Sequence, residues 1–165
     1  MSTKTEQLQI RVTPAEKGRL RRLARNAGQD ISGYVLARAL PKSQEEFQSL
    51  LGDLVNVEGE ERRFALAALN DFLVNLTPIE FHSAVSEADL SRLGEFTMNY
   101  VAAMVEETAA MKKLKPPRWA GDVQPSDKPW FATGLKSLRV HLLKSAPVAF
   151  KRRNIFVDSG VDRRV

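Results

Sequence analysis

The sequence predicts a mainly α-helical protein with one short strand near its N-terminus. Apolar residues recur at helical spacing in most of residues 14–111, whereas residues 7–13 alternate apolar and polar with the period of a half-buried strand. The net charge is +6 over residues 1–42, −10 over residues 43–110 and +9 over residues 111–165. Together these patterns predict three parts: residues 1–42, an acidic helical region at 43–113, and a proline-bracketed basic tail at 114–165.

The strand has one apolar and one polar side. The apolar side holds Leu8, Ile10 and Val12, and the polar side holds Gln7, Gln9 and Arg11. Glutamine and arginine are side chains that read adenine and guanine edges, and a two-stranded ribbon fits the major groove of DNA. Because one strand cannot form a ribbon, a DNA-reading role requires a second copy of the chain. The alternative is an ordinary amphipathic strand that begins a small α/β domain.

Two helices are predicted after the strand. Residues 13–16 read Thr-Pro-Ala-Glu, a capping box with proline at the first helical position. Gly28 predicts the end of this helix, because glycine accepts the left-handed conformation that follows a last turn. Asp30 or Ser32 then caps a second helix, which Pro41 ends.

A strand, a helix, a glycine turn and a helix within residues 6–41 resemble the ribbon-helix-helix (Arc/MetJ-like) family of DNA-binding proteins. The resemblance implies an antiparallel dimer in which Gln7, Gln9 and Arg11 enter the major groove. It also implies that N–H groups at residues 30–32 hold a DNA phosphate. The expected phosphate contacts are Thr13, Arg19, Arg22, Asp30, Ile31 and Ser32. A part this small needs a partner to bury enough apolar surface, and the expected dimer core is Leu8, Ile10, Val12, Leu20, Leu23, Tyr34 and Val35.

The region from 43 to 113 is expected to hold four helices and no strand. Ser43 is expected to cap the first, and the second is expected to begin near Glu58. A second Thr-Pro-Ile-Glu capping box opens the third at residues 77–80, and Ser86 with Asp89 is expected to open the fourth.

No catalytic constellation is recognisable in the sequence. His82 and His141 are the two histidines, and neither has the spacing of a metal site. Glycine-rich phosphate loops and nucleophile elbows are also absent. We therefore expect a protein that is not an enzyme and needs no cofactor or metal. The chain has no cysteine, signal peptide or membrane-length apolar run, so a cytoplasmic protein without membrane association is expected.

The basic tail combines prolines with aromatic residues. Four prolines within residues 116–129 predict an extended path without regular structure. The tryptophans nearby either anchor in a partner's pocket or pack back on the helical region. A helix at 133–144 with Leu135, Leu138 and Leu142 inward and a strand at 155–157 are expected beyond them. The basic cluster at 151–153 is either solvated charge, an aid to DNA affinity, or a docking site for an acidic partner. The expected partner-binding residues are Trp119, Trp130, Phe131, Lys151, Arg152, Arg153 and Phe156.

A dimeric DNA-binding part joined to a longer C-terminal region resembles antitoxins of type II toxin–antitoxin modules. The resemblance implies an autorepressor that binds operator DNA and neutralises a cognate toxin through its C-terminal region. The ending RRNIFV is also similar to proteins paired with nucleotidyltransferase-type toxins. Two alternatives stay open: a stand-alone regulator or plasmid mobilisation or partition accessory protein, and a structural adaptor that only dimerises. The expected partners are double-stranded DNA, a toxin and further copies of the chain, as a homodimer or higher oligomer.

Overall fold

The computed structural model describes residues 9–39 and 42–158, without the side chains of Ala37 and Arg38. The chain divides between residues 41 and 42 into two compact units, called here the N-terminal unit and the C-terminal unit. Gln7 and Leu8 of the predicted strand, and the helix stop predicted at Pro41, lie outside the described residues.

The N-terminal unit contains two helices, α1 (Pro14–Asn26) and α2 (Ile31–Ala39). The helix start predicted at Thr13 is confirmed, because its side chain accepts the Glu16 N–H in a complete capping box. The stop predicted at Gly28 is confirmed too, since this residue has φ +66° and its N–H donates to the Arg25 carbonyl. Such a left-handed residue satisfies carbonyls that the last turn of a helix leaves free.

The C-terminal unit is also mainly helical, so the predicted fold class is confirmed. Its one described sheet has two parallel strands in which Trp130 lies opposite Ile155 and Phe131 lies opposite Phe156. Among the described residues its elements are α3 (Lys42–Asp53), α4 (Gly59–Asn75), α5 (Pro78–Ala84), α6 (Glu95–Met111), α7 (Arg118–Asp122), β1 (Trp130–Phe131), α8 (Lys136–Ser145), α9 (Val148–Lys151) and β2 (Ile155–Phe156).

Helix α6 forms the centre of the C-terminal unit. Residues 101–105 are all buried, so the helix is enclosed on every side along this stretch. A helix that is apolar all round is typical of such a central position. Helices α4, α7 and α9 pack directly against it. The largest buried side chains around it come from four other elements: Phe47, Leu69, Leu73, Phe81 and Phe150.

Two predicted helix starts in this unit are wrong. Helix α3 begins at Lys42, so Ser43 lies within its first turn. Helix α6 begins at Glu95 rather than near Ser86. The Asp89 carboxylate accepts from both the N–H and the hydroxyl of Ser91, a local turn that competes with helix formation.

The basic tail is more ordered than its prolines predict. Pro117 has the extended backbone of an N-cap, and the short helix α7 follows it directly. In α8 only Leu142 of the three expected inward leucines is buried, whereas Leu135 is 63% and Leu138 is 46% exposed. The expected strand is confirmed at Ile155–Phe156.

Candidate nucleic-acid interface

Residues 9–13 lead into α1 as an exposed segment without regular structure. Within the described part of the chain, residues 9–12 make no backbone hydrogen bond to another residue. Ile10 is 59% exposed and Val12 is 42% exposed, while Gln9 and Arg11 are also exposed. The segment therefore has free backbone groups and uncovered apolar side chains, the condition of a strand before it pairs. Its pairing in a dimeric ribbon stays a prediction.

Thr13 ends this segment, and its hydroxyl already has a partner. The Thr13 N–H and hydroxyl each donate to the Glu16 carboxylate at 2.8 Å. These bonds, the backbone one foremost, lower the pKa of Glu16 below its ordinary value of 4.5. The carboxylate therefore stays ionised beside the segment, and a phosphate contact by Thr13 would have to share or replace this bond.

Helix α1 carries the strongest positive charge of the N-terminal unit. Ala24 is 2% exposed and marks its inner side. None of the basic side chains has an ion-pair partner among the described residues, and all are exposed. Exposed cations of this kind bind DNA phosphates without reading sequence. They are Lys17, Arg19, Arg21, Arg22 and Arg25.

The start of α2 is built around Asp30 and Gly33. The Gly33 N–H donates to the Asp30 carboxylate at 2.8 Å, which confirms Asp30 as a cap. A Cβ at position 33 would lie 2.6 Å from that carboxylate oxygen, so a larger residue there would displace the Asp30 side chain. The first-turn N–H groups of Ile31 and Ser32 have no acceptor in the described part of the chain. These two groups are available to a phosphate, and the phosphate contact expected at residues 30–32 stays a prediction.

The expected dimer-core residues are incompletely buried in the single chain. Leu20, Tyr34 and Val35 are half-buried, and Leu23 is 39% exposed. Ala24 is the one fully buried apolar side chain among residues 9–36 and 39. So little buried surface is typical of a fold that completes its core with a partner.

The aromatic residues of the tail pack on their own unit, which is the second of the two alternatives for them. Trp119 donates its indole N–H to the Val85 carbonyl at 2.8 Å and is half-buried. The Trp130 ring lies 4.8 Å from the Phe96 ring, measured between centroids, and stays 39% exposed. Aromatic packing also holds the sheet together, where Phe131 stacks on the buried Phe156 at 4.8 Å.

The basic cluster at 151–153 does not form one exposed face. Arg153 is 4% exposed and makes a 2.8 Å ion pair with Glu106 of α6. Lys151 donates to the Lys144 carbonyl, and only Arg152 is fully exposed. The expectation that Arg153 is presented to a partner is therefore wrong, because the guanidinium is enclosed by acceptors of its own unit. Sequence reasoning missed Glu106, because α6 also carries Glu95 and Glu107 and nothing in the local pattern distinguishes the carboxylate that pairs with Arg153.

The C-terminal unit also has a shallow cleft that is lined by apolar and basic residues. The cleft has a volume of about 450 Å³, an apolar floor that includes Phe81 and Leu114, and a basic rim at His82, Lys115 and Arg118. The one hydroxyl in its lining, Ser86, donates to the Ser83 carbonyl, and no carboxylate lies among the lining residues. Among the described residues there is also no cluster of three metal-ligating side chains.

Comparison with known families gives one finding. Residues 2–59 match the NikA-like family, described as mobilization protein NikA. The match covers about a third of the chain and includes the whole N-terminal unit described above together with α3. Searches of curated proteins and of solved structures gave no match.

Every residue expected to contact DNA or to form the dimer core lies inside the stretch similar to the mobilization family. The buried ion pair of Arg153 with Glu106 and the two-stranded sheet lie beyond residue 59, outside the matched stretch. In the described residues no helix combines the length and the apolar character that a membrane crossing requires.

Proposed function

We propose that this chain is a non-enzymatic DNA-binding accessory protein of a mobilisation system. It binds a specific double-stranded site as a dimer through the segment around Arg11 and through α1. The observation that carries the proposal is the similarity of residues 2–59 to the mobilization family. Support comes from the exposed arginines of α1 and from the unpaired segment at 9–12.

The two parts of this interface have different tasks. Arg11 and the glutamines read base edges, because their side chains form bidentate bonds with guanine and adenine. The arginines of α1 hold phosphates and set the affinity for DNA of any sequence. The N–H groups of Ile31 and Ser32 fix the register on the backbone, as helix N-termini do for phosphates elsewhere.

The experiment begins with selection of bound fragments from the chain's own genome, followed by anisotropy measurements on the recovered duplex. Arg11→Ala is expected to weaken binding to that duplex by about 1–3 kcal/mol, with little effect on unrelated DNA. Arg19→Ala is the matched control, since it should weaken binding to all sequences and reduce the salt dependence. If Arg11→Ala binds the selected duplex as tightly as the unchanged chain, this segment does not read the site.

An antitoxin role shares the DNA-binding part of the proposal but needs a C-terminal segment that is available to a toxin. Most of the side chains expected to bind a toxin pack within the C-terminal unit, including Trp119, Arg153 and Phe156. That packing favours the mobilisation role over an antitoxin with a free tail. Co-purification of the intact chain from its native host distinguishes them, because an antitoxin brings a toxin and a mobilisation protein brings DNA-processing proteins.

A structural adaptor is the third role in contention. It requires only dimerisation, so the exposed arginines of α1 would have no ligand. Binding to duplex DNA that falls steeply with salt concentration rules out the adaptor.

A further inference from the structure

Helix α4 exposes an apolar stripe edged by acidic residues. Residues 60, 64, 67, 71 and 74 follow one another at spacings of four, three, four and three, so they share one face of the helix. All five are exposed, and Phe64 is 73% and Val74 is 42% exposed. The carboxylates of Glu60 and Asp71 lie on the same face, and the exposed Arg63 borders it, so the face has a net charge of −1. An aromatic ring this exposed on a regular helix is typical of an interaction surface.

Helix α8 exposes a stripe of the opposite charge. Lys136, Val140, Leu143 and Lys144 recur at helical spacing and are all exposed, whereas Leu142 is buried. Val140 is 60% exposed and Leu143 is 46% exposed. The helix contains no acidic residue, so its outer face is apolar and positively charged.

The charges of the two stripes are not neutralised within the chain. The two ion pairs found in the described residues are Arg153–Glu106 and His141–Asp158. Neither involves Glu60, Asp71, Lys136 or Lys144. An acidic apolar helix face and a basic apolar helix face, both exposed and both without a salt bridge, have the complementarity that specifies a contact.

We infer that copies of this chain associate through the α8 stripe of one copy and the α4 stripe of the next. The acidic stripe of α4 repels DNA, so its partner is a protein surface of positive charge, and α8 supplies such a surface on every copy. The two stripes differ, so the contact is heterologous and leaves one free stripe of each kind on a pair. Such a contact continues into a chain of copies unless the rotation closes a ring.

This association adds to the proposed DNA binding without depending on it. The N-terminal units pair copies on DNA in the proposed function, whereas α4 and α8 connect neighbouring copies through the C-terminal units. A protein with both contacts coats a stretch of DNA cooperatively, starting from one specific site.

Disulfide trapping tests the contact in the full-length chain, because the natural sequence has no cysteine. Chains with Phe64→Cys are mixed with mass-tagged chains carrying Leu143→Cys, without DNA, and are oxidised mildly. The expected product is the mixed disulfide, in large excess over either homodimer. The matched control is His141→Cys, whose side chain is 62% exposed and lies about 160° around α8 from Leu143.

Both α8 variants share the same N-terminal unit, so pairing there raises the local concentration equally for each. A mixed disulfide that forms as readily with His141→Cys would overturn the inference, since it reports collision alone. A dominant Phe64→Cys homodimer would also overturn it, because the contact would then join two α4 stripes.

Charge reversal tests the electrostatic part separately. Lys136→Glu with Lys144→Glu on the Leu143→Cys chain should abolish the mixed disulfide. Glu60→Lys with Asp71→Lys on the Phe64→Cys chain should restore it against that reversed partner, a result that misfolding cannot produce. If both reversed chains fail together, or if reversal of α8 leaves trapping unchanged and lowers DNA affinity instead, α8 is a DNA contact and the inference fails.

Discussion

Replacement of Arg153 is the sharpest test of how the C-terminal unit is held together. The side chain is 4% exposed and donates to the Glu106 carboxylate at 2.8 Å, to the Val123 carbonyl at 3.0 Å and to Asn99 at 3.3 Å. It also donates to the Ala120 carbonyl. One guanidinium therefore connects α6, α7 and the turn before β2, three elements far apart in sequence.

The size of the effect follows from what Arg153→Ala leaves behind. Breaking a buried ion pair by removing one partner costs about 3–5 kcal/mol. The Glu106 side chain is 16% exposed, so water partly solvates the remaining carboxylate and the lower end applies. We expect a loss of about 3 kcal/mol in the free energy of unfolding for Arg153→Ala. Glu106→Gln keeps the shape and removes one charge, so about 2 kcal/mol is expected.

Urea unfolding followed by tryptophan fluorescence measures this loss. The only tryptophans of the chain are Trp119 and Trp130, so the signal reports the C-terminal unit selectively. Arg152→Ala is the matched control, since that exposed neighbour should change the free energy of unfolding by less than about 0.5 kcal/mol. Coincident midpoints for Arg153→Ala and Arg152→Ala would refute the reasoning that the buried guanidinium holds these elements.

Three further predictions concern helix ends. Hydrogen bonds from Thr77, first the side-chain one, lower the pKa of Glu80 below its ordinary value of 4.5. The ionised Glu80 therefore stabilises the folded chain above pH 4.5, and this stabilisation is lost as the pH falls through the lowered pKa. Glu80→Gln should therefore reduce the drop in melting temperature between pH 7 and about pH 3, and an unchanged drop would contradict this. Gly33→Ala gains about 1 kcal/mol of helix propensity but displaces the Asp30 cap, which is worth about 1 kcal/mol, so little net change in the stability of the N-terminal unit is expected. Gly18→Ala should stabilise the N-terminal unit by about 1 kcal/mol, because a Cβ at position 18 would meet no atom within 4 Å. Circular dichroism melts in which Gly33→Ala and Gly18→Ala have equal effects would exclude the Asp30 cap as the cause of the difference. Lys113, just after α6, has a left-handed backbone with φ 57°, which glycine adopts without strain. Lys113→Gly should therefore increase the free energy of unfolding by up to about 1 kcal/mol and raise the urea midpoint. A lowered midpoint would show that no strain is relieved.

Helix starts with a capping box were predictable because their interactions are local. Thr13 and Thr77 each bond to a glutamate three residues later, so the whole motif is visible in four letters of sequence. Ser86 with Asp89 offers a hydroxyl and a carboxylate at the same spacing, yet no helix begins there. There the side chain of Gln48 accepts from the Asp89 N–H and donates to the Glu87 carbonyl, which fixes this segment as a loop. Gln48 and Asp89 are 41 residues apart, so this contact could not be predicted from the local sequence pattern.

The segment proposed to bind DNA, residues 9–12, was predictable to a different extent. Its alternation and its charges are sequence properties, and the single chain shows the expected residues exposed around Arg11. The predicted ribbon requires two chains, so neither a single sequence pattern nor a single chain contains its hydrogen bonds. The cap of α2 was predictable as one of two residues, Asp30 or Ser32, and the Asp30 side chain makes it.

The alternation of charge along the sequence has a different meaning once the chain is folded. The charge pattern suggested an acidic helical region and a separate basic tail, yet both belong to one compact unit. Inside that unit, opposite charges from the two stretches meet in one buried pair, Arg153 with Glu106. A folded unit neutralises few of its charges internally, because burying ions costs free energy. Other charges stay on the surface, among them Glu60 and Asp71 on α4 and Lys136 and Lys144 on α8, and the association inferred above would bring these two sets together between copies.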